Sequence, residues 1–450
     1  MPSPSDHSLS EELLATTRRA IVGADRQRAV LHLLDWMACA RGACGEPARQ
    51  AMAGVYRQQS TNGLALLGHV QPAEAELMMD AMLGSLLEMD DVHRAAVLHP
   101  GPVVVPAALL AARQVGADSS ALLDAIVVGY EVMIRIGRGM GRQHYTFWHP
   151  TATLGPFGAA AAVARLLGLD EQQTSWALGN AGTRTGGLWQ LRHEPVPSKS
   201  LHTALAARDG WLAAMLAGKG FSGPRYLLEG PQGLLNATAR DADPEQMLAV
   251  ASGWLIHEVS FKPWPACRHA HPAIDALLAL GELPRPEAID RIEVETYQAA
   301  LDFCDRTHPQ TPAEARFSIQ HALAAAVIRG RPSLAQYQSA CIADPGIAAL
   351  RSRIALRVDA EFDQAFPAHY GAGVVLRTRD GTVRQARIND AWGDPENPLQ
   401  SSDLVAKSVD LLTQAGIEPN DVQTMIRQTL ALGDGASLAD WRIEMAGIAG

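Results

Sequence analysis

Apolar residues recur at helical spacing along most of the chain up to residue 260. The spacing predicts helices over residues 13–22, 28–39, 73–87, 103–115, 119–136, 151–167, 171–181, 201–217 and 245–255. Gly42 stops the second, and Glu74 and Glu76 open the third, where the helix dipole favours acids. The stretch 119–136 is apolar around its whole circumference at the centre and reads as a helix buried on every side. Near residue 265 the texture changes. Residues 291–297 and 352–358 alternate apolar and polar, as half-buried strands do, and 373–388 reads as strand, Asp380-Gly381 turn and strand. Helical stretches at 273–280 and 319–328 lie between them, and 403–415 and 422–430 return to helix. The fold class read from this pattern is mainly α. A large all-helical domain (1–265) is followed by a smaller, inserted α+β domain (266–397), and C-terminal helices (398–450) return to the first. A cleft between two such domains is a common place for a ligand.

Composition narrows the class. The chain has 450 residues, more than one ordinary core organises, with 47% apolar and 19% charged residues. Aromatics are only 5%, so helices must pack closely through small residues. The net charge of −10 argues against a nucleic-acid partner held by a basic face. Five cysteines without CxxC spacing argue against a disulfide framework or structural zinc, and for a reducing cytoplasm. The N-terminal MPSPSDHSLSEELL lacks the basic and apolar regions of a signal peptide, and no apolar run is long enough to span a membrane.

Four histidines directly precede proline: His99, His149, His271 and His308. Proline suits the first turn of a helix, and the residue before it is biased to extended backbone. Each histidine is therefore expected at a helix mouth, beside free N–H groups that suit anions. Four clusters could carry chemistry. Asp90-Asp91 stands before His93 and His99, and one acid could charge or orient a histidine. Tyr145, His149 and Thr151 gather at the second His-Pro, with Tyr145 a proton donor. Lys199 and His202 open an alanine-rich helix, where burial and the dipole would lower the lysine's pKa toward a general base. Lys262, Cys267, Arg268, His269 and His271 concentrate charge at the domain junction. His269-x-His271 has no third ligand at a familiar spacing, so no metal is expected. Cys267 reads as a small buried residue. Gly137-Arg138-Gly139-Met140-Gly141 is not a dinucleotide fingerprint, and nucleotide-hydrolase, serine-esterase and zinc-protease motifs are absent.

Taken together, MDDVHRAAVLHPGPVVVPAALLAA, HYTFWHPTATLGPFGAAAAVARLLG, SKSLHTALAARDGWLAAMLAGKGFSGP, KPWPACRHAHPAIDAL and ARFSIQHALAAAV resemble the MmgE/PrpD family. The resemblance runs nearly the whole chain. It implies a helical domain with an α+β lid, a homodimer, no cofactor, and metal-free proton abstraction beside a carboxylate of a small di- or tricarboxylate. It places family active-site positions on Asp91, His99, His149, Lys199 and Lys262, and on Tyr145 in the iminodisuccinate epimerase branch. Asp90, Thr151, His202, Arg268 and His269 are the expected substrate contacts. Two departures stand out. Ser85 and Leu87-Glu88-Met89 replace a histidine and Ile-Asp-Phe, and His321 stands where several members carry tyrosine. The expected activity is that of a 2-methylcitrate dehydratase-like lyase or an epimerase. The alternatives are a cis-aconitate decarboxylase-like enzyme and a non-catalytic carboxylate-binding protein.

Overall fold

The computed structural model describes residues 7–59, 72–194 and 196–441; residues 1–6 of the N-terminal segment read above lie outside them. The chain opens with helices α1 (Leu9–Ala15), α2 (Gly23–Gly42), α3 (Pro47–Gln59), α4 (Pro72–Leu86), α5 (Gly101–Val115) and α6 (Ser119–Arg138). It continues through α7 (Gly141–Phe147), α8 (Pro150–Leu167), α9 (Glu171–Gly182), α10 (Ser198–Ala217), α11 (Leu234–Thr238) and α12 (Pro244–Leu248). Helix α8 is the hub, packed against α5, α6, α9 and α10. Its sequence explains this. Residues 150–164 are all buried and mostly small, so neighbours approach to backbone distance. A Cβ built on Gly129 of α6 would lie 2.8 Å from the Gly158 carbonyl oxygen of α8, so no larger residue fits the crossing.

The smaller α+β part contains α13 (His271–Ala279), β1 (Ile289–Thr296), α14 (Gln298–Cys304), α15 (Pro312–Arg316), α16 (Ile319–Arg329), α17 (Ser339–Ile342) and α18 (Pro345–Arg351). It ends with β2 (Ile354–Val358), α19 (Ala360–Ala365), β3 (Ala372–Thr378) and β4 (Val383–Ile388). The strands form one sheet in the order β2-β1-β3-β4. β1 runs parallel to β2 and antiparallel to β3, with Val294 opposite Leu356 and Val374. Ile289, Ile292 and Val294 are buried, and the charged residues between them are not. Helix α13 packs on β3 and β4. The expected hairpin turn is present: Gly381 sits at φ 90 and donates to the Thr378 carbonyl at 3.0 Å. Helices α20 (Ser401–Gln414) and α21 (Pro419–Ala431) pack on α2, and Leu404, Leu411, Val422 and Ile426 join the core of the helical part. The observed fold is thus mainly α with a smaller α+β part. No helix among the described residues is long and apolar enough to cross a membrane.

Two expected helices fail. The stretch 13–22 is helical only to Ala15, with a 3-10 turn to Arg18. There the Thr16 and Thr17 hydroxyls, each at 2.7 Å, bond back to the carbonyls of Leu13 and Leu14, and Arg19 turns extended to reach Glu131. The stretch 245–255 is helical only to Leu248, because Ala249 leaves at ψ 136.

Candidate active site

The wall of the site is built by four chain segments. After α4 the backbone turns through Glu88 at φ 56, a left-handed conformation rarely held by a side-chain-bearing residue and costing about 1–3 kcal/mol. Val92 and Ser260 then exchange backbone hydrogen bonds of 2.9 and 2.8 Å, which brings Lys262 alongside. The Lys262 ammonium donates to the Glu88 carbonyl at 3.2 Å and lies 3.5 Å from its Oε2 and 3.7 Å from Asp90. Lys199, second residue of α10, donates to Glu88 Oε1 at 2.5 Å. Burial pushes the Glu88 carboxyl up, but the two ammoniums outweigh it and hold it below the usual carboxylate range. Burial likewise pulls Lys199 down, yet Glu88 and Asp90 raise it above an ordinary lysine. The expected lowering of Lys199 is therefore overturned: its paired carboxylate keeps it a cation.

The adjacent acids diverge. Asp91 accepts from the Tyr130 hydroxyl at 2.7 Å and the Gly101 N–H at 2.9 Å, and lies 2.6 Å from His32 Nδ1. It is buried behind the cavity wall, where it pins the start of α5, and burial pushes its pKa up to about 6. Asp90, not Asp91, is the acid beside His99, with Oδ2 3.0 Å from His99 Nδ1. Burial opposes its ionisation, but His99 and Lys262 hold it well below the usual carboxylate range. His99 Nδ1 also lies 2.7 Å from the Asp91 carbonyl. A carbonyl can only accept, so Nδ1 carries a proton and Nε2 is the nitrogen left for the cavity. Thr151 does not reach the cavity; its hydroxyl accepts the His99 backbone N–H at 3.0 Å and fixes that residue.

His149 caps α8 in extended backbone, as its Pro150 requires, and makes no side-chain cap bond. Its N–H donates to the Gly187 carbonyl at 2.8 Å and its ring packs on Trp189 with centroids 4.5 Å apart. Its Nδ1 meets His202 Nδ1 at 3.3 Å, and its Nε2 is buried without a hydrogen-bond partner. Burial, then Lys199, push His149 well below the normal histidine range, so the ring is neutral. His202 stands behind His149 and not in the wall. On the other side, Tyr145 of α7 lies 3.3 Å from His269 Nε2, and His269 Nδ1 lies 2.8 Å from the Tyr297 hydroxyl. Burial, then Lys262, lower His269 to about 3, and burial raises Tyr145, so the phenol keeps its proton.

Only two of the four His-Pro histidines serve the site. His271 adopts helical backbone as the first residue of α13 and turns to Arg268 and the Ala266 carbonyl. His308 is exposed in a loop with no helix mouth. Arg268 reaches the wall, but its terminal nitrogens bind Trp392, Ala391, Asp394 and His271, which engages them inside the α+β part rather than freeing them for a ligand.

The resulting inner cavity, about 40 Å³, is walled by His99, Tyr145, His149, Lys199, Lys262 and His269 together with Glu88, Trp189 and Tyr370. It shares Glu88, Trp189 and Lys199 with an outer, mostly apolar vestibule of about 320 Å³. Trp189 and Tyr370, whose hydroxyl is buried without a partner, were not singled out from the sequence, and Glu88 entered there only as a departure from the family pattern, without a site role. Glu88 left one signal, an acid at the end of an apolar helix, where the dipole disfavours it.

The profile of the MmgE/PrpD N-terminal domain matches residues 12–247, and that of the MmgE/PrpD C-terminal domain matches residues 264–432. The chain is 25% identical to a cis-aconitate decarboxylase-like protein of Aspergillus oryzae, over 92% of this chain and 91% of that one. It is 27% identical to the cis-aconitate decarboxylase of Mus musculus, over 71% of this chain and 67% of the relative. It is also 25% identical to the 2-methylcitrate dehydratase of Escherichia coli, over 78% of each chain.

Proposed function

The chain belongs to the MmgE/PrpD family, and from that premise and the geometry we propose a cofactor- and metal-independent lyase or isomerase that removes a proton beside a carboxylate of a small di- or tricarboxylate. The relatives named as dehydratase and decarboxylase support an enzyme of this class. The observation that carries the reading is the convergence on one cavity of the Lys199 and Lys262 ammoniums, His99, and a neutral His149 whose Nε2 has no protein partner.

In this mechanism the lysines and His99 hold the substrate carboxylates and the enediolate charge that follows proton loss. Preorganised donors of this kind are worth about 3 kcal/mol each in the transition state. Lys199 is a binding cation here, not the base. His149 Nε2 takes the proton in the tautomer that leaves it bare, and Tyr145, which keeps its proton, supplies one to a leaving hydroxyl or to the opposite carbon face. Asp90 orients His99, and Glu88 spaces the two ammoniums.

Decarboxylation is the second reading, favoured by the decarboxylases among the relatives. Against it, His321 turns its Nε2 to the Gln336 carbonyl at 2.8 Å and supplies no phenol to the cavity. A homodimer belongs to the same proposal. Incubation with 2-methylcitrate, cis-aconitate and iminodisuccinate separately, in EDTA, tests it. Alkene formation identifies a dehydratase, CO2 release a decarboxylase and stereochemical inversion an epimerase. Binding without turnover on any of them leaves a carboxylate-binding protein and overturns the enzyme reading.

A further inference from the structure

His202 lies one turn beyond Lys199 on α10, half-buried, with its Nδ1 3.3 Å from the Nδ1 of His149. The two rings are tilted by 38° with centroids 5.6 Å apart. Burial lowers His202 below the ordinary histidine range as it does His149, so both rings are neutral at pH 7. A neutral imidazole has one N–H. Across a shared Nδ1···Nδ1 contact one ring must therefore donate and the other accept, and the two must hold opposite tautomers. When His149 donates, its Nε2 is bare and faces the cavity as an acceptor. When His202 donates, the His149 proton sits on Nε2 and faces the cavity as a donor.

We propose that His202 is a positioning residue that sets the tautomer of His149 and relays protons between the buried cavity and solvent. This rests on the reading that His149 Nε2 is the base. The step balances as follows. The substrate C–H bond breaks and its proton joins His149 Nε2, while the electron pair stays on the substrate as an enediolate. The His149 Nδ1–H bond breaks and an N–H forms on His202 Nδ1. The proton on His202 Nε2 leaves from the half-exposed ring to water. His149 remains neutral at the end, with a proton on Nε2, while Tyr145 supplies the proton to a leaving hydroxyl or to the opposite carbon face. Passing the protons the other way restores the first state. A concerted relay avoids accumulating an imidazolium beside Lys199, which after burial most disfavours charge on His149, and beside His99, which adds to it.

The experiment pairs a spectroscopic reading with kinetics. In protein labelled with 15N-histidine and free of substrate, His149 and His202 are expected to show opposite tautomers by their 15N shifts; the same tautomer in both overturns the proposal. In turnover with whichever of 2-methylcitrate, cis-aconitate or iminodisuccinate the wild type converts, His202→Phe is expected to lower kcat at least tenfold with KM within about twofold. His202→Asn keeps a donor near the Nδ1 position but cannot pass a proton, so it is expected to be impaired similarly. A normal kcat in His202→Phe, or full activity in His202→Asn, overturns the relay. Wild-type inactivity on all three compounds counts against the enzyme reading alone, and the 15N shifts still decide the pairing of the two rings.

Discussion

The Lys199 ammonium stands 2.5 Å from a carboxylate oxygen of Glu88, a residue whose backbone is held at φ 56. Lys262 approaches the same side chain from the opposite segment, so one carboxylate separates the fully buried Lys262 ammonium from the partly buried Lys199 ammonium. Replacing that carboxylate by a neutral isostere leaves two ammoniums with Asp90, 3.7 Å from Lys262, as the nearby counter-charge in a low-dielectric site. Glu88→Gln is expected to cost about 3–5 kcal/mol of stability, the usual penalty for breaking a buried pair from one side. Urea denaturation at neutral pH measures it. An unchanged midpoint would mean that Asp90 alone balances both ammoniums.

The same pairing governs Lys199. Its pKa is raised because Glu88 and Asp90 outweigh burial. Lys199→Arg keeps the charge and is expected to retain measurable turnover with a raised KM, whereas Lys199→Met is expected to lower kcat/KM by at least about 100-fold, one lost preorganised donor. Steady-state kinetics on the converted substrate separates the two. Equal losses in both variants would make the lysine a proton carrier rather than a binding cation.

Thr151 acts at one remove, through the His99 backbone N–H it accepts at 3.0 Å. Thr151→Val keeps the shape and leaves that N–H unpaired, at a cost of about 1–3 kcal/mol. Thr151→Ser is expected to restore both stability and KM. Thermal melts and kinetics on the two variants check this; a Val variant as stable as the wild type would remove Thr151 from the support of His99.

Much of this architecture was legible in the sequence. Helix α8 follows from a run of small apolar residues after His149-Pro150, and the β3–β4 hairpin from Asp380-Gly381 between alternating segments. What escaped depended on direction rather than type. Asp90 and Asp91 are neighbours in the loop after α4 and make different contacts, and nothing in their identity says which one meets His99 and which one anchors α5. Lys199 was placed at the right helix start, but its charge state was fixed by Glu88, 111 positions away. His271 precedes a proline and opens a helix as expected, yet the 3-10 turn before it rotates its ring into the core.

Acid sensitivity is set partly by buried neutral histidines. Burial lowers both His144 and His321 to about 4, while the unfolded chain titrates near 6.5. Between those values the unfolded state binds more protons, so stability rises with pH through this window and is lost as pH falls from 6.5 toward 4. Raised acids oppose this: burial lifts Asp35 and Asp91 to about 6, and their contribution fades as pH rises through that value. His321→Gln removes one histidine alone, so its stability-pH slope below pH 6.5 is expected to be shallower by up to about 1.4 kcal/mol per pH unit. Urea denaturation of both proteins at pH 4.5 and 6.5 reads the difference; identical slopes would mean that folding does not lower the His321 pKa.

The most direct measurement is proton exchange at the substrate carbon. Protein in D2O with EDTA, given the compound it converts, is followed by 1H NMR for loss of the hydrogen beside the carboxylate and for deuterium in recovered substrate or product. Deuterium entry that persists in EDTA and disappears in His149→Phe is the expected result. Turnover with full retention of the original hydrogen, or exchange that stops when EDTA is added, would contradict it.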